Sequence, residues 1–444
     1  MYETKGISAM NNVCKELLNF ISSSPTAFHA IKSASEMLNE NGFTKLSEGN
    51  SWNLIPGGKY YVTRNLSSLV AFIIPESGKA ASYMISASHS DSPSFKIKHN
   101  PESDTAGYLR INVERYGGML CATWLDRPLS CAGRVTVTEN GKVSTKLVDL
   151  DRDLFMIPSV AIHMNRSANE GATYNPAVDM QPICGSAKTK GELIKLVAEA
   201  CGTKEEHIAS YDLYLYPRTP GTVWGVNDEY VSSPRLDDLQ CVFASLKGLI
   251  EADNSTSLPV LFVADNEEVG SSTKQGADST FLSDTLKRIN RALGGSDDDY
   301  IQALASSFMV SADNAHAIHP NHPEYADKNN APVINGGIVI KHNASQLYTT
   351  DAVSAAIFET ICNKADVPTQ HFANRADIRG GSTLGNISGT QVSVNTVDIG
   401  LPQLSMHSCY ETAGVLDTEY LIKAMKVLFS SALAATSDGE YEVR

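Results

Sequence analysis

The run Val260-Leu261-Phe262-Val263-Ala264-Asp265-Asn266-Glu267-Glu268-Val269-Gly270 decides how this chain is read. Five apolar residues in a row suit a strand buried on both faces. The apolar run ends abruptly in acids. Side by side at a buried strand end, Glu267 and Glu268 would repel each other unless a cation held one of them. One could then ligate a metal while the other takes a proton from a metal-activated water. Read alone, the same letters also describe a solvated acidic turn.

Working outward, residues 239–250 are predicted to form a helix before this strand, and Phe308–Ala312 a second apolar strand that again ends in an acid, Asp313. Strands alternating with helices predict an α/β domain with a largely parallel sheet, covered by helices on both faces. The first part of the chain has the same texture. Helices are expected over 8–22 and 25–41, the second capped by Ser24, opened by Pro25 and ended by Gly42. Strands are expected over 60–64, 69–74 and 83–88. From about Lys96 to Val231 the texture changes to short strands, such as 109–113 and 134–138, joined by Gly, Asn and Pro turns, with one helical pattern near 191–201. The predicted organisation is a catalytic domain in two parts, 1–93 and 233–444, interrupted by a β-rich insert over 94–232. Gly294-Gly295-Ser296-Asp297-Asp298-Asp299 reads as an exposed acidic loop, and no internal repeat is found.

Composition bounds what the chain can do. A length of 444 residues suits two or three domains, and 42% hydrophobic with 19% charged residues supplies packed cores. A net charge of −14 gives no electrostatic reason to bind nucleic acid or an anionic membrane. Eight scattered cysteines with no C-x-x-C pair suit reduced thiols in the cytoplasm. The start, Met1-Tyr2-Glu3-Thr4-Lys5, lacks signal-peptide features, and no apolar stretch is long enough to cross a bilayer. The expectation is a soluble, cytoplasmic globular protein.

Four further segments carry metal-ligand residue types. His89-Ser90-Asp91 follows the strand 83–88. His89 could bind a metal through one ring nitrogen while Asp91 accepts the other N–H. Asp237, in Pro234-Arg235-Leu236-Asp237-Asp238, could bridge two cations, although acids before a helix also serve as caps. Asp313 is followed by His316, His319 and His322, and His407 closes the set. Several of these lie at strand ends, where sites form in open α/β sheets. Mixed nitrogen and oxygen ligands point to zinc.

These segments resemble the aspartyl aminopeptidase family of zinc metallopeptidases. The resemblance also rests on Ser24-Pro25-Thr26-Ala27-Phe28-His29-Ala30, Thr123-Trp124-Leu125-Asp126-Arg127 and Ala161-Ile162-His163. It implies that His89 and Asp313 hold one metal, Glu268 and His407 the other, and that Asp237 bridges them. Glu267 would be the general base and Asp91 the carboxylate behind His89. His163 would reach a neighbouring subunit's site, while His316, Lys341 and Tyr348 would line the substrate pocket. The β-rich insert would be a dimerisation domain, and dimers would build a dodecamer. Three positions depart from the family pattern: Asp238 where Asn is common, Asn314 where an apolar residue is common, and Arg379 in place of a frequent Pro.

The expected activity is removal of single N-terminal residues from peptides, acidic ones preferred, by a water that two zinc ions activate and Glu267 deprotonates. A broader aminopeptidase of the same family is the alternative. A di-zinc deacylase or carboxypeptidase and a non-catalytic scaffold are the remaining readings.

Overall fold

The strand Leu258–Ala264 lies inside a nine-stranded sheet. The structure is a computed structural model and describes residues 3–253 and 256–444. In spatial order the sheet runs Thr44–Leu46, Lys59–Arg64, Ser68–Ile73, Leu258–Ala264, Tyr83–His89, Phe308–Ala312, Asn395–Gly400, Ile338–His342 and Thr369–Ala373. The four strands from Leu258–Ala264 to Asn395–Gly400 are parallel neighbours. Ser68–Ile73 and Ile338–His342 flank this block antiparallel. The sheet is therefore mixed, with a parallel centre. Its central strands are buried along their whole length because both faces are covered, so they read as continuous apolar runs rather than as alternation.

Alternate residues of each strand feed two separate cores. On one face Tyr61, Leu69 and Ala71 meet the helices Ala27–Glu40, Leu236–Ile250, Ala352–Lys364 and Val415–Ser430. On the other, Val62, Val70 and Phe72 meet Phe281–Ala292, Asp297–Ala305 and Leu384–Gln391. Helices Leu236–Ile250 and Val415–Ser430 approach so closely that a Cβ on Gly248 would lie 2.5 Å from Cβ of Met425. Glycine is required there.

Between His89 and Asp237 the chain forms a six-stranded sheet, ordered Lys142–Asp149, Leu129–Glu139, Ile208–Pro217, Ser94–Thr105, Tyr108–Tyr116 and Ile183–Ser186. All of its pairings are antiparallel. It has its own core, built on Phe95, Ile111, Trp124, Val135 and Leu213, and closed by Leu193 and Val197 of the helix Glu192–Ala200. The strands Thr222–Trp224 and Tyr230–Ser233 leave this sheet. They pair instead into a five-stranded sheet with Glu411–Gly414, Pro402–Leu404 and Ala315–His316.

Two local expectations are corrected. The stretch expected as an exposed acidic loop turns helical at its end. Ser296 caps the helix Asp297–Ala305, and a reciprocal pair of bonds joins Ser296 and Asp299. Three acids in a first turn complement the free N–H groups there, so the acidic run is a helix start. The helix expected from Pro25 begins at Ala27, with Thr26 rather than Ser24 at the cap position. The Thr26 hydroxyl is engaged with Nδ1 of His29 at 2.9 Å.

Candidate metal centre and substrate cavity

Parallel register sets Ala264 beside His89, so the acids after Ala264 and those after Ala312 emerge at the same sheet edge as His89. His89 Nδ1 lies 3.0 Å from the main-chain carbonyl of Asp91 and 3.4 Å from its Oδ1. A carbonyl can only accept, so Nδ1 carries a proton, and Nε2 is the nitrogen left to give its lone pair to a cation. The sequence pointed to the Asp91 carboxylate as this partner, but the carbonyl is nearer. Nε2 faces Asp237 Oδ1 at 3.5 Å and Asp313 Oδ1 at 3.9 Å. The other oxygen of Asp237 faces His407 Nε2 at 3.4 Å, and that nitrogen is also 3.4 Å from Glu268 Oε2. Beside a His89–Glu267–Glu268 group, two further ligand groups result, His89–Asp237–Asp238–Asp313 and Asp237–Glu268–His407, each with donor atoms within 4.8 Å of one another. Asp237 belongs to both.

The donor set fits divalent cations. Asp237 Oδ1, Asp238 Oδ1 and Glu268 Oε1 are buried with no hydrogen-bond partner among the described residues. Burying unpaired carboxylate oxygens is costly, and a cation is what would satisfy them. Burial, followed by the charge of Asp237, pushes Glu268 well above the carboxylate range. Burial pushes Glu267 up to about 8. Burial opposes charge on the His89 ring, but Asp237, Asp313 and Asp91 outweigh it and hold its pKa well above the usual value.

Two carboxylates brace this arrangement. Asp91 accepts the main-chain N–H of Glu267 at 3.1 Å and of Glu268 at 3.2 Å, fixing the turn that aims both glutamates. Glu411 accepts the main-chain N–H of Asp237 at 2.9 Å and of His407 at 2.7 Å. The insert reaches the same place. Tyr116 donates its hydroxyl to Asp91, Leu120 donates its N–H to the carbonyl of His407, and a Cβ on Gly117 would lie 3.1 Å from Cβ of Glu268.

In front of these groups opens a cavity of about 300 Å³, lined among others by Asp237, Glu267, Asp313, His316, Lys341 and Tyr348. Lys341 is buried, with Nζ 3.8 Å from Asp313 Oδ2 and 5.4 Å from the centre of the Tyr348 ring. Burial opposes its charge, but Asp313, Tyr348 and Asp398 more than offset this and keep the ammonium ionised. His316 is exposed and sits edge-on to Phe372. Asp398 anchors the wall, accepting from the Thr349 hydroxyl at 2.8 Å and the Thr383 hydroxyl at 2.6 Å. Among the residues singled out in the sequence, His319, His322 and Arg379 line a neighbouring cavity, and His163 lies on an exposed segment and lines neither.

The departures from the family pattern have local explanations. Asp238 is buried, and its Oδ2 accepts the N–H of His89 at 3.1 Å, a bond that the amide oxygen of Asn could also accept. Asn314 is buried, and its amide reaches Leu236, Gln240 and Gln403. Arg379 is exposed. Sequence reading missed Glu411, Tyr116 and Asp398. Glu411 lies four residues beyond His407, a proximity that could have raised it. Nothing local distinguishes Tyr116 or Asp398, whose partners are distant in the chain.

Residues 20–429 match the family model described as aminopeptidase I zinc metalloprotease (M18). A probable M18 family aminopeptidase 2 of Clostridium novyi (strain NT) is 46% identical over 423 residues, covering 94% of this chain and 98% of that protein. The protein of the same description from Pseudomonas paraeruginosa is 40% identical and covers 94% and 97%. Among solved structures, the one described as the Ape4 and Nbr1 complex superposes with a TM-score of 0.92 at 36% identity, covering 96% of this chain and 86% of that one. The S. cerevisiae mApe1 dodecamer gives 0.82 at 30% identity, covering 94% and 96%.

Proposed function

The chain belongs to the M18 family of zinc aminopeptidases, and on that footing we propose that each subunit uses two divalent ions to remove one N-terminal residue at a time from peptides, acidic residues fastest. The observation that carries the two-ion reading is Asp237, which turns one oxygen to each of two ligand groups. His89 and Asp313 would hold one zinc, Glu268 and His407 the other, with Asp237 shared. Ions held there would polarise the scissile carbonyl and acidify the attacking water. Glu267 lines the cavity and lies outside the two groups that share Asp237, though near His89 and Glu268; it would take the proton of the attacking water and return it to the leaving amine. Asp91 keeps Glu267 and Glu268 aimed by holding their main-chain N–H groups. The free N-terminus is received by the carboxylates around His89, which limits the cut to one residue.

Lys341 is the group suited to an acidic side chain of the substrate. Its contact with Asp313 also favours a second reading, broader specificity, should that pairing persist with substrate bound. The insert would mediate dimers that assemble into a dodecamer, the assembly named in the description of the mApe1 relative, and would deliver His163 to the neighbouring site. Eight free cysteines suit a reducing, cytoplasmic setting.

The test is a panel of aminoacyl p-nitroanilides and short peptides, with free or acetylated N-termini, given to zinc-loaded protein. Cleavage of free substrates only, fastest with Asp or Glu, is expected. Cleavage of acetylated peptides, or release from the C-terminus, overturns the aminopeptidase reading. Equal rates for all side chains overturn the acidic preference alone.

A further inference from the structure

Beyond the metal cavity lies a second cavity of about 300 Å³, which shares His316, Phe372 and Gly381 with the first and is also lined by His319, His322 and Arg379. The shared residues make the two spaces adjacent. Most charges around the second space are already matched. Arg375 grips both oxygens of Asp377, each at 2.6 Å. His322 pairs with Glu324 at 2.9 Å. Asp327 accepts the main-chain N–H groups of Asn329 and Asn330. Arg379 is the exception, with no hydrogen bond or ion pair among the described residues. It sits one glycine before Gly381, which lines both spaces. An unmatched guanidinium is a ready bidentate partner for a carboxylate.

We propose that Arg379 and its cavity form a subsite for a carboxylate on the leaving side of the substrate, either an acidic side chain beyond the scissile bond or the C-terminal carboxylate of a very short peptide. The proposal rests on the aminopeptidase reading. The substrate's first residue occupies the metal cavity beside Lys341, and the chain after the cut passes His316 and Phe372. The preferred substrates are then short peptides with negative charge on both sides of the bond.

The test compares wild type with Arg379→Gln, using the N-terminal residue that the panel above cleaves fastest. Four substrates are used: its p-nitroanilide, its dipeptide with Ala carrying a free C-terminus, the amide of that dipeptide, and a tripeptide amide with Asp second. The variant should raise KM about three- to tenfold for substrates with a leaving-side carboxylate and leave the anilide and dipeptide amide unchanged. A rise confined to the free dipeptide identifies the C-terminal carboxylate, and one confined to the Asp tripeptide identifies the side chain. Equal effects on all four substrates, or none on any, overturn the subsite while leaving the peptidase intact. If wild type cleaves none of the four, the failure lies in the aminopeptidase reading itself.

Discussion

Tyr116 donates its hydroxyl to Oδ2 of Asp91 across 2.6 Å, joining the inserted sheet to the turn that aims Glu267 and Glu268. Burial, then the charge of Asp91, pushes the phenol well above its usual pKa, so it remains a donor. Tyr116→Phe removes this charge-assisted bond, worth about 1.5–3 kcal/mol, together with the bond that the hydroxyl accepts from the Asn266 amide at 2.8 Å. The expected result is a kcat lowered about tenfold or more, with zinc content and fold unchanged. Steady-state kinetics beside elemental analysis checks it, and an unchanged kcat would show that Asp91 holds the turn without the insert.

Glu267→Gln keeps the shape of the side chain but cannot accept a proton. We expect both zinc ions to be retained and turnover to fall by ~10²–10⁴. Near wild-type turnover would remove Glu267 from the base role.

Asp237→Ala takes away the ligand common to both groups, so at least one zinc per chain should be lost together with activity. Glu411→Gln is milder, because an amide can accept only one of the two main-chain N–H groups now bound. Zinc affinity should weaken about 10–100-fold, the range for groups that orient metal ligands. Competition with a chromogenic chelator measures both variants. Full double occupancy of Asp237→Ala would refute the bridging role.

His163 lies on an exposed segment outside the cavity of its own chain, so a role in catalysis would require a second subunit. Losing such a donor to a developing oxyanion costs ~3 kcal/mol. Mixing Glu267→Gln with His163→Ala subunits should restore part of the activity, since one site of each mixed dimer has both native residues. Mixed dimers that stay as inactive as their parents would rule out sharing.

His29 offers a stability test away from the metals. It is buried in the first turn of its helix, and burial lowers its pKa to about 4. The folded state therefore disfavours the cation. The stability it contributes is complete above the unfolded value near 6.5 and is lost as pH falls towards 4. Between pH 7 and pH 5 the wild type should lose about 2 kcal/mol from this group. His29→Gln should show a shallower acid dependence of Tm over that range, and parallel curves would dismiss the assignment.

What was legible in the sequence was whatever has a local signature. The central strands are uniformly apolar because helices cover both their faces, so the α/β reading of Leu258–Ala264 and Phe308–Ala312 needed no tertiary information. The strand-end residues His89, Glu267, Glu268 and Asp313 announce themselves by type and position. The antiparallel flanks of the sheet do not, because direction depends on connections rather than on composition. The same holds for Tyr230–Ser233, which pairs with Glu411–Gly414 far along the chain. Tyr116 and Asp398 act on groups brought close only by folding, so no spacing rule marks them, while Glu411 joins its near neighbour His407 to the distant Asp237. The acidic run at 297–299 looked like a loop because its charge pattern fits a helix start equally well.

The weave of insert and sheet also bears on synthesis. His89 receives its Asp238 contact from 149 residues downstream, and Cys409, beside His407, bonds Thr123 across 286 residues. No nascent chain can complete the centre until residue 411 has left the ribosome and the insert has closed against it. Hydrolytic capacity thus arrives only at the end of translation, so a half-made or truncated chain carries carboxylates and histidines but cannot attack the other nascent peptides around it.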